Sequence, residues 1–332
     1  MVNKGPIRFL KVSLACVSVL CVVIFSFLAF YMSQKSSSTI NEIGTLYMSG
    51  MNERISMHFQ TTIELRLSQV RAMKEDNPVR EGDQQALRDV LAYNAEVRGF
   101  DYLALYSRDG RFDMLYGEPV EVLDQTPFLR SLNAGEDKIA VGNDASGNKI
   151  VLLGVSAEYF MEDGECTALV AGLPVDYIQE VLFLDEEESL VYSHIIRRDG
   201  SFVIRSGDAF RDNYFERIRS IFDEVGGEDA ERYVEELKTA MSTGEDYSNV
   251  LDMGSERRHL YCTLLPYSEW YLVTVMPYGI LDRSIRSMVG SWGTLTVAGC
   301  SIVLMALILV FFKYIGLTRK QLQEVEEARR EA

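Results

Sequence analysis

The chain has 332 residues, 47% of them apolar, so it can bury substantial cores, and its length alone allows one to three domains. Its formal net charge of −16 argues against a nucleic-acid binder, which needs a basic face. That average conceals an asymmetry. No acidic residue precedes Glu42, whereas Lys4, Arg8 and Lys11 are basic. Residues 33–287 carry 25 Lys plus Arg against 45 Asp plus Glu, and the tail opens basic again with Lys313, Arg319 and Lys320.

Both changes of sign coincide with long apolar runs. Val12 to Met32 is uncharged, and as a helix it is long enough for a hydrocarbon layer of about 30 Å. Met288 to Phe312 is similar, with Trp292 near one end and Tyr314 just past the other, where amphipathic rings favour the interface. Positive charge on the outer flank of each run puts both termini in the cytoplasm and the acidic middle outside. A cleaved signal peptide is the alternative for the first run. Its apolar stretch exceeds the roughly 7–15 residues of a signal h-region, and no small-x-small cleavage pattern follows it. The expected layout is therefore 1–11 cytoplasmic, 12–32 spanning, 33–287 extracytoplasmic, 288–312 spanning and 313–332 cytoplasmic.

After a polar exit at Ser33 to Thr39, the residues Ile43, Tyr47, Met51, Ile55, Phe59, Ile63 and Leu67 recur every four positions, followed by Val70. That spacing predicts a helix over 40–76, stopped by Asn77-Pro78. A shorter helix is predicted over Ala86–Val97. An alternating strand, Phe100–Ser107, and a second strand, Arg111–Gly117, then flank Arg108-Asp109-Gly110, a turn in which Asp-Gly supplies the positive-φ residues a hairpin needs. A helical piece at Pro127–Leu132 precedes three strands, Lys138–Gly142, Lys149–Glu158 and Cys166–Leu173, with turns at Gly147-Asn148 and Asp163-Gly164. The grammar then repeats. Strands flank Arg198-Asp199-Gly200, helices are predicted over Asn213–Val225 and Ala230–Met241, and strands over Tyr247–Met253, His259–Leu265 and Trp270–Met276.

The repeat holds residue by residue. Arg108-Asp109-Gly110-Arg111-Phe112, with Gly117 beyond, matches Arg198-Asp199-Gly200-Ser201-Phe202, with Gly207 beyond. Leu169-Val170 followed by Leu173-Pro174 matches Leu272-Val273 followed by Met276-Pro277. The expected fold class is α+β, with two tandem modules over 86–184 and 190–280, antiparallel sheets and a long leading helix, flanked by two transmembrane helices.

This order resembles the PAS-like module found twice in double Cache (double PDC) sensor domains, over about Ile40 to Ile285. Pro266-Tyr267-Ser268-Glu269-Trp270-Tyr271-Leu272-Val273-Thr274-Val275-Met276-Pro277 and Ser193-His194-Ile195-Ile196-Arg197-Arg198-Asp199-Gly200-Ser201-Phe202 resemble the closing and opening hairpins of the second module. The likeness is to the outer sensor regions of Firmicutes histidine kinases and diguanylate cyclases. The resemblance implies a homodimeric membrane receptor for an extracellular small molecule, with a histidine kinase core or response regulator as cytoplasmic partner and a diguanylate cyclase as the alternative output. It also implies that Asp176, in Gly172-Leu173-Pro174-Val175-Asp176, occupies a position where Cache receptors for amines or amino acids often carry a ligand-binding carboxylate. Unlike amino-acid-binding relatives, the distal module contains no Trp, which leaves the ligand class open.

The residues themselves suggest a pocket in the distal module between its sheet and the helical piece before its third strand. The polar members of those elements are Tyr102, Tyr106, Tyr116, Arg130 and Asn143, with Asp176 after the last strand. Cofactors, metal and catalytic residues are expected to be absent. No Gly-x-Ser-x-Gly elbow surrounds a serine, and His58, His194 and His259 are far apart in sequence. The acidic run Asp185 to Glu188 reads as a solvated loop between modules. Cys166 and Cys262 fall on strands of different modules and read as buried free thiols rather than a disulfide. In the tail, Leu317, Leu322, Val325 and Ala332 have partly heptad-like spacing, expected to open a signalling coiled coil or else to be a solvated helix end. No HAMP unit, phosphoacceptor helix, ATP lid or GGDEF loop occurs in it, so the expectation is a sensing half without its own output enzyme. The rival classes are a ligand-free dimerising scaffold, whose modules would be filled by apolar side chains, and an anchored enzyme.

Overall fold

A computed structural model describes residues 5–77, 84–161, 164–182, 191–205, 211–225, 229–252 and 257–277, and in the C-terminal part 294, 297–317, 319–321 and 323. The acidic run at 185–188, the turn residue Asp163, the stop at Pro78 and the tail beyond 323 lie outside the described residues. The chain forms two compact units, Met1–Gly44 with Gly279–Ala332, and Thr45–Tyr278.

In the first unit, Val297–Gln321 is long and apolar enough to cross a membrane by length and composition. It is the one such helix among the described residues. The N-terminal run contributes a shorter apolar stretch, Cys16–Leu28, within helix α1 (Gly5–Asp76). Residues 33–39, read from the sequence as a polar exit ahead of a helix starting at 40, continue that helix. Ser and Thr cost little in a helix, and no Gly or Pro interrupts the run.

The second unit begins with residues 45–76 of α1. The buried face here is Met48, Asn52, Phe59, Ile63, Leu67, Val70 and Met73, whereas Ile43 and Tyr47 are about half exposed. A strict four-residue row rotates about 40° per step around a helix of 3.6 residues per turn. The predicted stripe therefore leaves the core at its N-terminal end and joins it from Phe59 onward.

Helix α2 (Gln84–Val97) leads into a six-stranded antiparallel sheet. Its strands are β1 (Tyr102–Ser107), β2 (Phe112–Gly117), β3 (Glu121–Val122), β4 (Lys138–Asn143), β5 (Lys149–Met161) and β6 (Gly164–Pro174), in the order β2-β1-β6-β5-β4-β3. Helix α3 (Gln125–Asn133) lies between β3 and β4, and α4 (Val175–Val181) follows β6. The two-residue β3 escapes sequence reading because it is shorter than any alternation. It exists by pairing Glu121 with Asn143 and Val122 with Gly142.

The second module has β7 (Tyr192–Arg197), β8 (Phe202–Ile204), helices α5 (Tyr214–Val225) and α6 (Ala230–Thr243), then β9 (Tyr247–Asp252), β10 (Arg257–Leu264) and β11 (Trp270–Pro277). Its order, β8-β7-β11-β10-β9, repeats that of the first sheet without the short edge strand. The duplicated hairpins close alike. The Ser107 and Arg197 amides donate to the Arg111 and Ser201 carbonyls at 2.8 Å, and Gly110 and Gly200 sit at φ 89° and 84°. Only glycine takes that conformation at no steric cost.

One apolar core runs across both modules. Phe59, Ile63, Leu67 and Val70 of α1, with Leu91 of α2, cover Leu103, Val151, Leu153 and Leu169 of the first sheet. The same core continues into Ile195, Val203, Trp270 and Leu272 of the second. Further toward the N-terminus of α1 the contacts turn polar. Thr45 lies 3.4 Å from His259, Tyr261 donates to Ser49, and Thr274 donates to Asn52. The helix is thus held by apolar packing against one module and partly by hydrogen bonds against the other. Cys166 and Cys262 are buried on separate sheets, and burial pushes the Cys262 thiol well up.

Candidate ligand-binding site

The face of the first sheet away from α1 is covered by α3. Tyr102 and Tyr106 are four residues apart on β1 and therefore share that face. Their hydroxyls lie 2.9 Å apart, both buried, and burial holds both phenols above their ordinary range. Around them Ala104, Leu152, Ala168 and Val170 meet Phe128, Leu129 and Leu132 of α3. Gly154 lets the helix approach, since a Cβ there would lie 2.7 Å from both Phe128 and Leu132. Removing one hydroxyl leaves the other buried without its partner, which costs about 1–3 kcal/mol, whereas removing both is nearly neutral. Tyr106→Phe should therefore lower unfolding free energy by roughly that amount, and Tyr102→Phe/Tyr106→Phe by clearly less. Equal losses in urea denaturation would show that the hydroxyl pair is not the cause.

Beside this packed interior lies an open cleft of about 540 Å³ between the β1–β2 turn and α3. Arg108, Asp109, Gln125, Arg130 and Asn133 line it. The loop is fixed by Gln125 donating to the Gly110 carbonyl at 3.0 Å and the helix end by Thr167 donating to Asn133 at 2.7 Å. The Ser107 hydroxyl and then Arg111 hold the Asp109 carboxyl below the usual carboxylate range. The cleft therefore offers two guanidinium groups and one carboxylate in a solvated setting.

The six residues singled out from the sequence fall in different places. Tyr102 and Tyr106 are together in the packed interior, and exposed Arg130 lines the cleft next to it. Tyr116 on β2 packs against the core on the α1 side instead. Asn143 ends β4, opposite Lys149 and Glu121. Asp176 is exposed in the first turn of α4, whose buried residues are Val175 and Ile178.

Sequence reasoning missed the junction between the modules. The amide of Ile139 on β4 donates to the carbonyl of Tyr267 in the β10–β11 turn at 3.0 Å. Arg197 pairs with Asp124, donating from Nε at 3.0 Å, and Lys149 donates to the Phe202 carbonyl. Trp270 sits edge-on to Phe59 with centroids 6.2 Å apart. Among the described residues, Asp124 and Tyr267 are the non-glycine residues with positive φ, at 58° and 60°. Such conformations cost energy and persist where surrounding contacts over-determine them. Both belong to junction contacts. The Pro266-Tyr267 turn was visible in the sequence, but its partner lies more than a hundred residues away.

In the second module the corresponding face carries a buried aromatic group. His194 contacts the rings of Tyr192, Phe202 and Tyr214 at 5.2–5.8 Å between centroids. Burial, then the nearby Arg217 and Arg205, depresses its imidazole to about 3.

A scan against models of known protein families gives no match. A search among curated proteins gives none either. Solved structures do match in fold. The ligand-binding domain of the Pseudomonas aeruginosa PAO1 amino acid chemoreceptor PctB, in complex with L-Arg, superposes with a TM-score of 0.50 at 11% identity. The alignment covers 76% of this chain and 97% of that one. The ligand-binding domain of the Pseudomonas fluorescens chemoreceptor CtaA, in complex with L-isoleucine, gives 0.50 at 14% identity, covering 76% and 98%. At these identities the likeness is one of fold, here a long helix carrying two antiparallel-sheet modules.

Proposed function

We propose that this chain is the sensing half of a dimeric transmembrane receptor, lying outside the cytoplasm and relaying a small-molecule signal to a cytoplasmic histidine kinase core. The observation that carries the reading is the pair of equivalent modules strung on one long helix and tied to each other at Arg197–Asp124 and Ile139–Tyr267. A solute that favours one arrangement of the modules shifts the population toward it. A coupling of about 1–3 kcal/mol is enough for signalling. Further support comes from the acidic middle between two apolar runs and from the fold shared with chemoreceptor ligand-binding domains. Exposed Met57 and Leu65 on α1, with Tyr93 and Val97 on α2, provide apolar surface for a second copy.

The ligand site in this reading is the cleft of the first module, with Arg130 and Arg108 facing a carboxylate and Asp109 an amine. That set fits an amino-acid zwitterion, and the two chemoreceptor domains are in complex with L-Arg and L-isoleucine. A thermal-shift screen of the full chain in lipid nanodiscs against amino acids, amines, carboxylates and nucleobases tests it. Ligand binding only to the folded state must raise the melting temperature. The expected hit is an amino acid whose shift disappears in Arg130→Ala and persists in Asp176→Ala. Loss in Asp176→Ala alone would move the site to α4.

A second reading is favoured by one observation, the apolar filling of the first module between its sheet and α3. It is a dimerising scaffold without a ligand, and a screen without any hit would select it.

A further inference from the structure

The cleft of the first module carries more positive charge than one carboxylate can use. Arg108 stands in the β1–β2 turn and Arg130 in the last turn of α3, and both are exposed. Among the described residues neither side chain joins an ion pair or donates a hydrogen bond. Residues 33–287 hold 45 acidic residues against 25 basic ones, so carboxylates are in excess. Arg71, Arg88, Arg197 and Arg219 each hold one. Two arginines left over at one cleft run against that balance.

Asp109 does not offset them. Its carboxylate accepts from the Ser107 hydroxyl at 2.5 Å and from Arg111 Nε at 2.9 Å, and Arg111 lies outside the lining of the cleft. The side chains of Gln125, Thr126 and Asn133, which complete the polar lining, are neutral. With Asp109 set against Arg111, the cleft keeps the charges of Arg108 and Arg130 as a surplus. A carboxylate has about four lone-pair sites, so Asp109 can still receive one N–H of an ammonium group. The volume of about 540 Å³ lies in the range of small-molecule sites and has room for an amino acid with its side chain.

We propose, on the reading of this cleft as an amino-acid site, that it selects an amino acid with an acidic side chain, aspartate or glutamate. One guanidinium fork satisfies one carboxylate through two parallel N–H···O bonds, which leaves the second fork for a second carboxylate. Arg130, carried by a helix, takes the α-carboxylate common to all amino acids. Arg108, carried by the turn, takes the carboxylate of the side chain and sets the specificity. A neutral zwitterion leaves the surplus charge of the cleft unchanged, whereas an acidic amino acid lowers it. A basic side chain would add a further positive charge and is disfavoured.

The test is calorimetric titration of the full chain in lipid nanodiscs with glutamate against glutamine and aspartate against asparagine. Each pair differs in side-chain charge at nearly equal size. In at least one pair the acidic member is expected to bind about five- to tenfold more tightly at low salt, and the gap should narrow as NaCl is raised. Arg108→Gln should bring the acidic ligand to the affinity of its amide, with the affinity for the amide changing less than about twofold. Arg130→Ala should weaken both members by a similar factor. Both side chains are exposed and bonded to nothing among the described residues, so both variants should melt within a few degrees of the parent. Amides that bind as tightly as the acids, or an acidic preference that survives Arg108→Gln, overturn the proposal and leave the amino-acid site standing. No binding of any of the four, or binding that Arg130→Ala leaves untouched, overturns the reading of the cleft and the proposal with it.

Discussion

Replacing Trp270 by alanine should destabilise the Thr45–Tyr278 unit by about 3–5 kcal/mol, the usual range for deleting a buried Trp. The effect should not stay within the second module. Trp270 is 4% exposed and lies in the apolar core that also holds Phe59, Val151 and Leu153. Its carbonyl accepts from the Leu265 amide at 2.9 Å, and its amide donates to the Ser268 hydroxyl at 3.1 Å. Those bonds shape the turn whose Tyr267 carbonyl receives the Ile139 amide of the first sheet. Losing the indole should therefore loosen the turn and expose the Ile139 amide. Hydrogen exchange on the full chain checks this, with faster exchange expected at Ile139 as well as along β11. Acceleration confined to β7–β11 would mean that the modules are joined without being mechanically coupled, and the relay proposed above would lose its route.

Acidification should produce the second large effect. In the unfolded chain an imidazole takes up its proton near pH 6.5, while folded His194 stays neutral down to about 3. Between those values the unfolded state binds more protons, so stability falls as the pH falls. The His194 contribution is fully present above about pH 6.5 and shrinks by about 1.4 kcal/mol per pH unit below it. Between pH 6.5 and 4.5 the loss from this residue is about 2.3 kcal/mol. His259, also depressed by burial, acts in the same direction. Urea denaturation at pH 7.5, 6.5, 5.5 and 4.5 reads the slope, and His194→Phe should flatten it, since the new ring stays uncharged among Tyr192, Phe202 and Tyr214. An unchanged slope in that variant would place the acid sensitivity elsewhere.

The features legible in the sequence are those whose causes are local. An Asp-Gly turn demands a positive φ at its own glycine, and so both hairpins, ninety residues apart, were readable from five-residue strings. The apolar run of β11 and the period of α5 and α6 are set by near neighbours, and their predicted boundaries fall within two residues of the observed ones. The runs of apolar residues and the reversals of charge around them are likewise properties of contiguous chain.

Tertiary structure decided what depends on distant partners. The four-residue row along α1 could not say where it leaves the core, because that depends on which sheet lies beneath each turn. The strand β3 needs β4 to exist, and the polar seam at Thr45 and His259 joins residues 214 positions apart. For the same reason the six candidate residues separated. Adjacency to a strand or helix end was visible in the sequence, but which face each side chain takes, and whether the space in front of it is filled, was set by packing. Tyr102 and Tyr106 found each other and Arg130 found a cleft, while Tyr116 turned to the other side of the sheet. The half-buried guanidinium of Arg217 left no mark on the sequence at all. It is one of two arginines on α5, and only the convergence of α5, β7 and β10 around it leaves its Nη1 buried without an acceptor among the described residues.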